Sequence, residues 1–293
     1  MIFSLLSKKK ILIPLGIFIF IASFLSHVPL NSYVNNEIKK VIPRKCANDV
    51  PEFKISLFPL PSLRAANQFT LSSKCSGFSN NIVLKHVELS NRGFSFSPVG
   101  FKFNTDIIFD KFKPLEISLS IGAGTYKLIM DRTIIDSSLI SELVKLPLDI
   151  EGELEVNLIA SLVKNAITEL EAEIGSTNLN LPSQMISGFN IPNINASPLK
   201  IIAKISKPKD LEVNAIQIGD KKSNLYLIGK GDIKNFSDSR SASLNIMSTL
   251  ALKKELKSQF SFINLLLGNP NDLGEYKFQV SGRLSSPRVK SLN

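Results

Sequence analysis

The chain holds two histidines and two cysteines among 293 residues, and that scarcity removes most reaction chemistry at once. Nucleophilic catalysis needs a base set beside a nucleophile. His27 and His86 each stand alone, so neither builds a Ser-His-Asp or Cys-His arrangement. A zinc site needs three or four clustered ligands, and two lone cysteines with two distant histidines make no such set. There is no phosphate loop, and Gly122-Ala123-Gly124 lacks the third glycine and following helix of a dinucleotide loop, which leaves it as a turn. No catalytic, metal-binding or cofactor-binding residue is expected, and the chain reads as a non-enzyme.

Charge is also sparse. Charged residues make up 20% of the chain, yet Lys and Arg exceed Asp and Glu by ten. A basic balance can serve nucleic acid, anionic headgroups or plain solubility. Nucleic acid is excluded as a partner, because no recognition module and no basic run interleaved with aromatics occurs. Most lysines sit singly at polar positions of alternating stretches, as solubility alone requires.

Long apolar runs are lacking except for one. Lys8-Lys9-Lys10 precedes Ile11–Val28, which is interrupted only by Pro14, Gly16, Ser23, Ser26 and His27. Its length is near the lower limit for crossing a bilayer. Lysines on its N-terminal side place that end in the cytoplasm and send the rest across the membrane. A cleavable export signal has the same order of charged, apolar and small residues. SFLSHVPL lacks a clean small-x-small site, which favours an uncleaved anchor; a buried soluble helix is the third reading. Cys46 and Cys75 then fall in the exported part, where oxidising conditions favour a bridge between them. Such a bridge closes a loop of about thirty residues and contributes roughly 3–4 kcal/mol on the chain-entropy model, while two free thiols remain the alternative.

What the sequence has in abundance is period two. In Leu146–Leu158, Leu146, Leu148, Ile150, Gly152, Leu154, Val156 and Leu158 take one parity, and Asp149, Glu151, Glu153 and Glu155 the other. A helix would scatter those carboxylates around its axis, so the pattern predicts a strand with one dry face. The same period predicts strands over 53–57, 82–89, 94–103, 115–121 and 126–130, with a turn at Asn91-Arg92-Gly93. Asp136-Ser137-Ser138 offers N-cap oxygens ahead of Leu139, Ile140, Leu143 and Val144, predicting a short helix that stops before Pro147. Residues 160–176 fit either a helical stripe or a strand, with strand favoured and a bulge expected at Gly175. Further strands are expected over 199–206, 211–218, 225–233, 242–250, 256–262 and 275–284, with short turns implying antiparallel neighbours.

The division that follows is a basic cytoplasmic N-terminus (1–10), a transmembrane anchor (11–28), a juxtamembrane stalk (29–50), a first half-sheet (51–180), a linker (181–198), a second half-sheet (199–285) and an exposed basic tail (286–293). The expected fold is mainly β: a long curved antiparallel sheet, as an open groove or half-barrel, with an N-terminal transmembrane helix and one or two short helices. A sheet with one dry face must fold on itself, close, or curl around a cover. Each lining Leu or Ile is worth roughly 1.5–3 kcal/mol when buried. The expected lining is Leu148, Ile150, Leu154, Val156, Leu199, Ile201, Leu225, Leu227, Leu244, Ile246, Phe278 and Val280.

One cluster is unusual. Asp149, Glu151, Glu153 and Glu155 share a face with Glu169, Glu171 and Glu173 if their strands pair. Like charges directly opposite one another cost up to about 1 kcal/mol. A solvated face relieved by Lys200 and Lys204 is one reading; a docking stripe for a basic partner and a weak calcium site are the others.

The segments PLDIEGELEVNL, NLYLIGKGDIKNFSDSRSASLNI and GEYKFQVSGRLSSPRV, following one N-terminal apolar run, resemble the type II secretion system protein N family in its longer form. That family is in turn similar to AsmA-like envelope β-groove proteins. The likeness spans roughly residues 50–290 and rests on apolar alternation and spaced glycines. Gly152, Gly229, Gly231 and Gly282 match the family's Gly-x-Leu-type positions, and Pro287 the proline after the last strand. The resemblance implies a periplasmic, inner-membrane-anchored accessory part of a secretion apparatus, with other envelope proteins as partners and no catalytic residues. Its relatives imply lipid handling, so a lipid or lipopolysaccharide carrier with acyl chains along the groove is the alternative.

Overall fold

The computed structural model describes residues 31–32, 35–36, 39, 50–56, 62–73, 81–144, 148–164, 166–186, 189–207, 209–236, 241–260, 263–284 and 286–292. The predicted span 11–28, Cys46 and Cys75 lie outside the described residues. Among the described residues, no helix is long and apolar enough to cross a membrane.

The chain is mainly β, as its alternation demands. In order come β1 (Phe53–Ser56), β2 (Ser62–Ala65), β3 (Phe69–Leu71), β4 (Ile82–Phe96), β5 (Val99–Phe109), β6 (Leu115–Gly122), β7 (Thr125–Asp136), helix α1 (Ser137–Val144), β8 (Glu153–Val163) and β9 (Ala166–Ser176). Four short strands follow: β10 (Asn180–Leu181), β11 (Gln184–Ile186), β12 (Phe189–Ile191) and β13 (Ile194–Asn195). The last third holds β14 (Leu199–Lys207), β15 (Asp210–Ile218), β16 (Leu225–Lys234), β17 (Ser243–Leu252), α2 (Lys254–Gln259), α3 (Ile263–Leu267), β18 (Glu275–Arg283) and β19 (Ser286–Ser291).

Fifteen strands form one antiparallel sheet in the order β1-β2-β4-β5-β6-β7-β8-β9-β14-β15-β16-β17-β18-β19, with β3 also on β4. Its edge strands β1 and β19 are not paired with each other. The 181–198 segment interrupts the chain without dividing the sheet: β9 pairs directly with β14, Ile174 opposite Ile201. What was expected to be a linker is two small strand pairs, β10 with β13 and β11 with β12.

The connections sort by length. At one end of the sheet they are tight, 97–98, 123–124, 164–165, 208–209 and 284–285, apart from the eight-residue 235–242. At the other end lie most of the long ones: α1 and its loop, the β10–β13 excursion, and α2 with α3. These long connections cover the dry face at their end. Leu139 of α1, Leu179 and Ala196 are buried in one cluster with Leu154, Val156 and Leu199, and Leu267 of α3 is buried with Leu250, Tyr276 and Phe278. Tyr276 is fully buried, and its hydroxyl donates 2.7 Å to Asn264 Oδ1.

Several expectations give way to local backbone chemistry. Arg92 and Gly93 do not turn the chain; they form a bulge within β4, with Gly93 at φ 109°, and the reversal comes at Ser97-Pro98. Among the described residues the central strand starts at Glu153 and not at Leu148, because Gly152 at φ 120° bends the chain against Asn178; Leu146 lies outside the described residues. Leu148 and Ile150 therefore precede the sheet, Ile150 packing on the core from a loop. Helix α1 is where expected, yet Ser137 does not cap it: its hydroxyl donates to the carbonyls of Ile150 and Gly152, and Asp136 Oδ2 accepts from the Lys113 amide. Residues 160–176 are two strands with Lys164 at φ 50° in the turn, and the bulge lies opposite Ser161–Leu162, not at Gly175. The strand expected at 256–262 is replaced by α2 and α3, which bury Leu256 and Leu267. The basic tail forms the exposed edge strand β19, where Pro287 is tolerated because an edge strand has a free side.

Candidate functional site

Registered partners on neighbouring strands point to the same side of a sheet. One such row crosses seven strands: Val156, Ile174, Ile201, Ile216, Gly229, Ser248 and Phe278. A second row runs Leu199, Ile218, Leu227, Leu250 and Tyr276. A third continues to the first strands through Leu162, Tyr126, Ile121, Phe101 and Phe94. All three belong to one apolar face. Ten of the twelve expected lining residues lie on it: Leu154, Val156, Leu199, Ile201, Leu225, Leu227, Leu244, Ile246, Phe278 and Val280. Leu148 and Ile150 belong to the loop that leads into it.

Burial along this face is graded. On β4, Ile82 and Leu84 are 2% and 5% exposed, whereas Phe94 and Phe96 are 55% and 85% exposed. The covered end is the one with the long connections. At the tight-turn end of β4 and β5 nothing in the described chain covers the apolar side chains, and Val99 and Phe101 are exposed as well. Phe94 meets Phe96 edge-on at 5.3 Å between ring centroids and Phe101 at 6.3 Å. The sequence shows these phenylalanines as alternation in a strand, and nothing in one strand's parity tells that no connection returns over them.

The acidic residues do not form one stripe. Asp149 and Glu151 sit on the loop, Asp149 tied through its backbone to Gln184 and Glu151 bridged to Asn180. Glu153 and Glu155 stand on β8. Pairing of β8 with β9 sets Glu155 opposite Gly175, Asn157 opposite Glu173, Ile159 opposite Glu171 and Ser161 opposite Glu169, so no two carboxylates are direct partners there. Lysines answer them: Lys113 Nζ lies 2.6 Å from Glu153, Lys200 3.1 Å from Glu173 and Lys127 3.4 Å from Glu169, while Lys204 registers with Glu171. The Ser161 hydroxyl, donating at 2.6 Å, and then Lys127 hold Glu169 below the usual carboxylate range. The bond to Glu153 raises Lys113. A shallow depression of about 480 Å³ is lined by Ile134, Glu153, Glu155, Glu173 and Lys200. Among the described residues, no group of three His, Cys, Asp or Glu side chains could hold a metal ion. His86 lies 3.2 Å from Glu88, both half-buried.

The glycines singled out in the sequence have distinct duties. Gly152 supplies the positive φ that starts β8, and Gly231 lies so close to the Asn245 carbonyl of β17 that no Cβ fits. Compared with models of known protein families, with curated proteins and with solved structures, the chain matches none.

Proposed function

We propose that this chain is a non-enzymatic envelope protein of the type II secretion system protein N kind, tethered to the inner membrane by Ile11–Val28 and displaying in the periplasm a curved β-groove that scaffolds other proteins. The observation that carries the reading is the single apolar face running from β1 to β19, covered at one end and open at the other. Such a face is a contact surface: it offers a long, non-directional lining, and its polar outer side stays wet. The resemblance of residues 147–158, 224–246 and 274–289 supports secretion as the setting, with other components of that apparatus as the partners proposed.

Cross-linking in the producing cells tests this. Photoreactive residues at Ile205 and Leu211, on the apolar face, are expected to capture a secretion component, while one at Met247, on the outer face, is not. Capture from Met247 alone would sink the scaffold reading.

A second reading rests on the half-exposed state of Leu211, Ile233 and Ile246 on that face. Acyl chains lying along them would complete their burial, making the protein a carrier of lipid or lipopolysaccharide. Mass spectrometry of the gently extracted full chain is expected to show stoichiometric lipid in that case, and none under the scaffold reading.

A further inference from the structure

The β4–β5 hairpin joins an uncovered aromatic tip to a one-signed charge field. Phe94, Phe96, Val99 and Phe101 are all exposed at the turn around Ser97-Pro98. Residues 89–105 and 117–130, the tip-side parts of β4 to β7, contain Arg92, Lys102 and Lys127 and not one Asp or Glu; Lys127 pairs with Glu169 of β9, so the tip's own cations are Arg92 and Lys102. Within β4 to β7 carboxylates return only farther from the tip, at Glu88, Asp106, Glu116 and Asp131. Arg92 and Lys102 are exposed. Apolar rings flanked by cations fit a surface that is oily inside and anionic at its rim.

The chain's own path points the same way. Ile55 donates its amide 2.7 Å to Asn31 Oδ1, and Phe53 its amide 2.7 Å to Asn35 Oδ1. Followed from Asn35 back to Asn31, the chain therefore runs along β1 from Phe53 toward Ser56. β1 and β4 share a direction, each being antiparallel to β2, so this is the direction in which β4 climbs to Phe96. Val28, the end of the long apolar run, is only three residues before Asn31. Asn31 and the β4–β5 turn therefore lie toward the same end of the sheet.

We propose that the β4–β5 tip is a second membrane contact: Phe94, Phe96 and Phe101 enter the interface of an anionic bilayer while Arg92 and Lys102 meet its headgroups. It rests on the reading of Ile11–Val28 as the anchor for its choice of bilayer. Two contacts on one edge set the sheet's orientation to the membrane, which a single flexible tether cannot do.

The sequence has no tryptophan, so Phe96→Trp places a lone fluorophore at the tip, and Met247→Trp places one on the outer face of β17. The full-length variants are reconstituted into phosphatidylglycerol-containing vesicles with brominated acyl chains. Phe96→Trp is expected to emit to the blue and to be quenched; Met247→Trp is expected to remain water-like and unquenched. Adding Arg92→Glu and Lys102→Glu, or using zwitterionic vesicles, is expected to remove most of the quenching. An unquenched Phe96→Trp overturns the proposal, as does a blue shift without quenching, which signals contact with protein. Equal quenching at both positions, or quenching undiminished in zwitterionic vesicles, overturns it too. Alkaline extraction of the same vesicles reads the anchor separately. Protein that is extracted, yet was quenched at Phe96→Trp beforehand, retires the anchor and keeps the tip; protein that resists extraction with an unquenched tip does the reverse.

Discussion

Glu169 shows how a single residue on the wet face is kept in place. Ser161 and Lys127 stabilise its ionised form, so its folded value lies below the ordinary 4.5. A lowered carboxylate contributes stability above its ordinary value, and that contribution is lost as pH falls through the folded one. Ser161→Ala is therefore expected to lower the melting temperature near neutral pH, with the gap to the parent closing as pH drops below about 4.5. Melting curves across that range check it, and a gap independent of pH would point to packing instead. Lys113, raised by Glu153, works with the opposite sign: its contribution is present below 10.5 and is lost as pH rises through the folded value. Gly231 is a matter of space. Gly231→Ala would drive a methyl into the Asn245 carbonyl on β17, and a loss of about 1–3 kcal/mol is expected in urea unfolding. Only the neighbouring strand explains why a side chain is refused there.

Among the elements, α2 and α3 are the least legible from the sequence. Leu256, Ser258 and Phe260 alternate as a strand would, yet the segment lies between β17 and β18, which already pair with each other from Ser243–Arg283 to Ala251–Glu275. With no edge free beside it, the segment lays Leu256 and Leu267 inward as helical turns. Tyr276 is the keystone of that cover, with Lys257 Nζ 5.5 Å from its ring centre. Tyr276→Phe removes one hydrogen bond and is expected to cost about 1 kcal/mol. Tyr276→Ala opens a cavity under α3 and is expected to cost about 3–5 kcal/mol. Hydrogen exchange should then show amides of β17 and β18 losing protection ahead of those in β8 and β9; uniform loss would mean that the cover is not a local unit. The β4 bulge has a similar lesson. Asn91-Arg92-Gly93 has the composition of a turn, but Phe94 and Phe96 still find partners in Phe101 and Val99, so continuing the ladder wins.

For the molecule as a whole, the sidedness of fifteen strands is the organising fact. Leu158 faces the apolar side opposite Met130 and Ala172, whereas Asn157 faces the wet side opposite Glu173. Leu158→Asp is expected to prevent folding or cost several kcal/mol, because an unpaired charge enters the core. Asn157→Gln is expected to change stability by about 0.5 kcal/mol or less. Comparable losses at the two positions would refute the one-faced sheet. Period two was readable because water treats alternate side chains of a strand oppositely, and that alone indicated a mainly β chain, most of its strands and ten of the lining residues. Three-dimensional pairing decided the rest: that β9 joins β14 across the excursion, that the carboxylates miss one another, and that long connections close one end of the face and leave the phenylalanines of the other in the open. Alternation is a property of each strand by itself, whereas cover depends on where distant connections land, and no local pattern carries that.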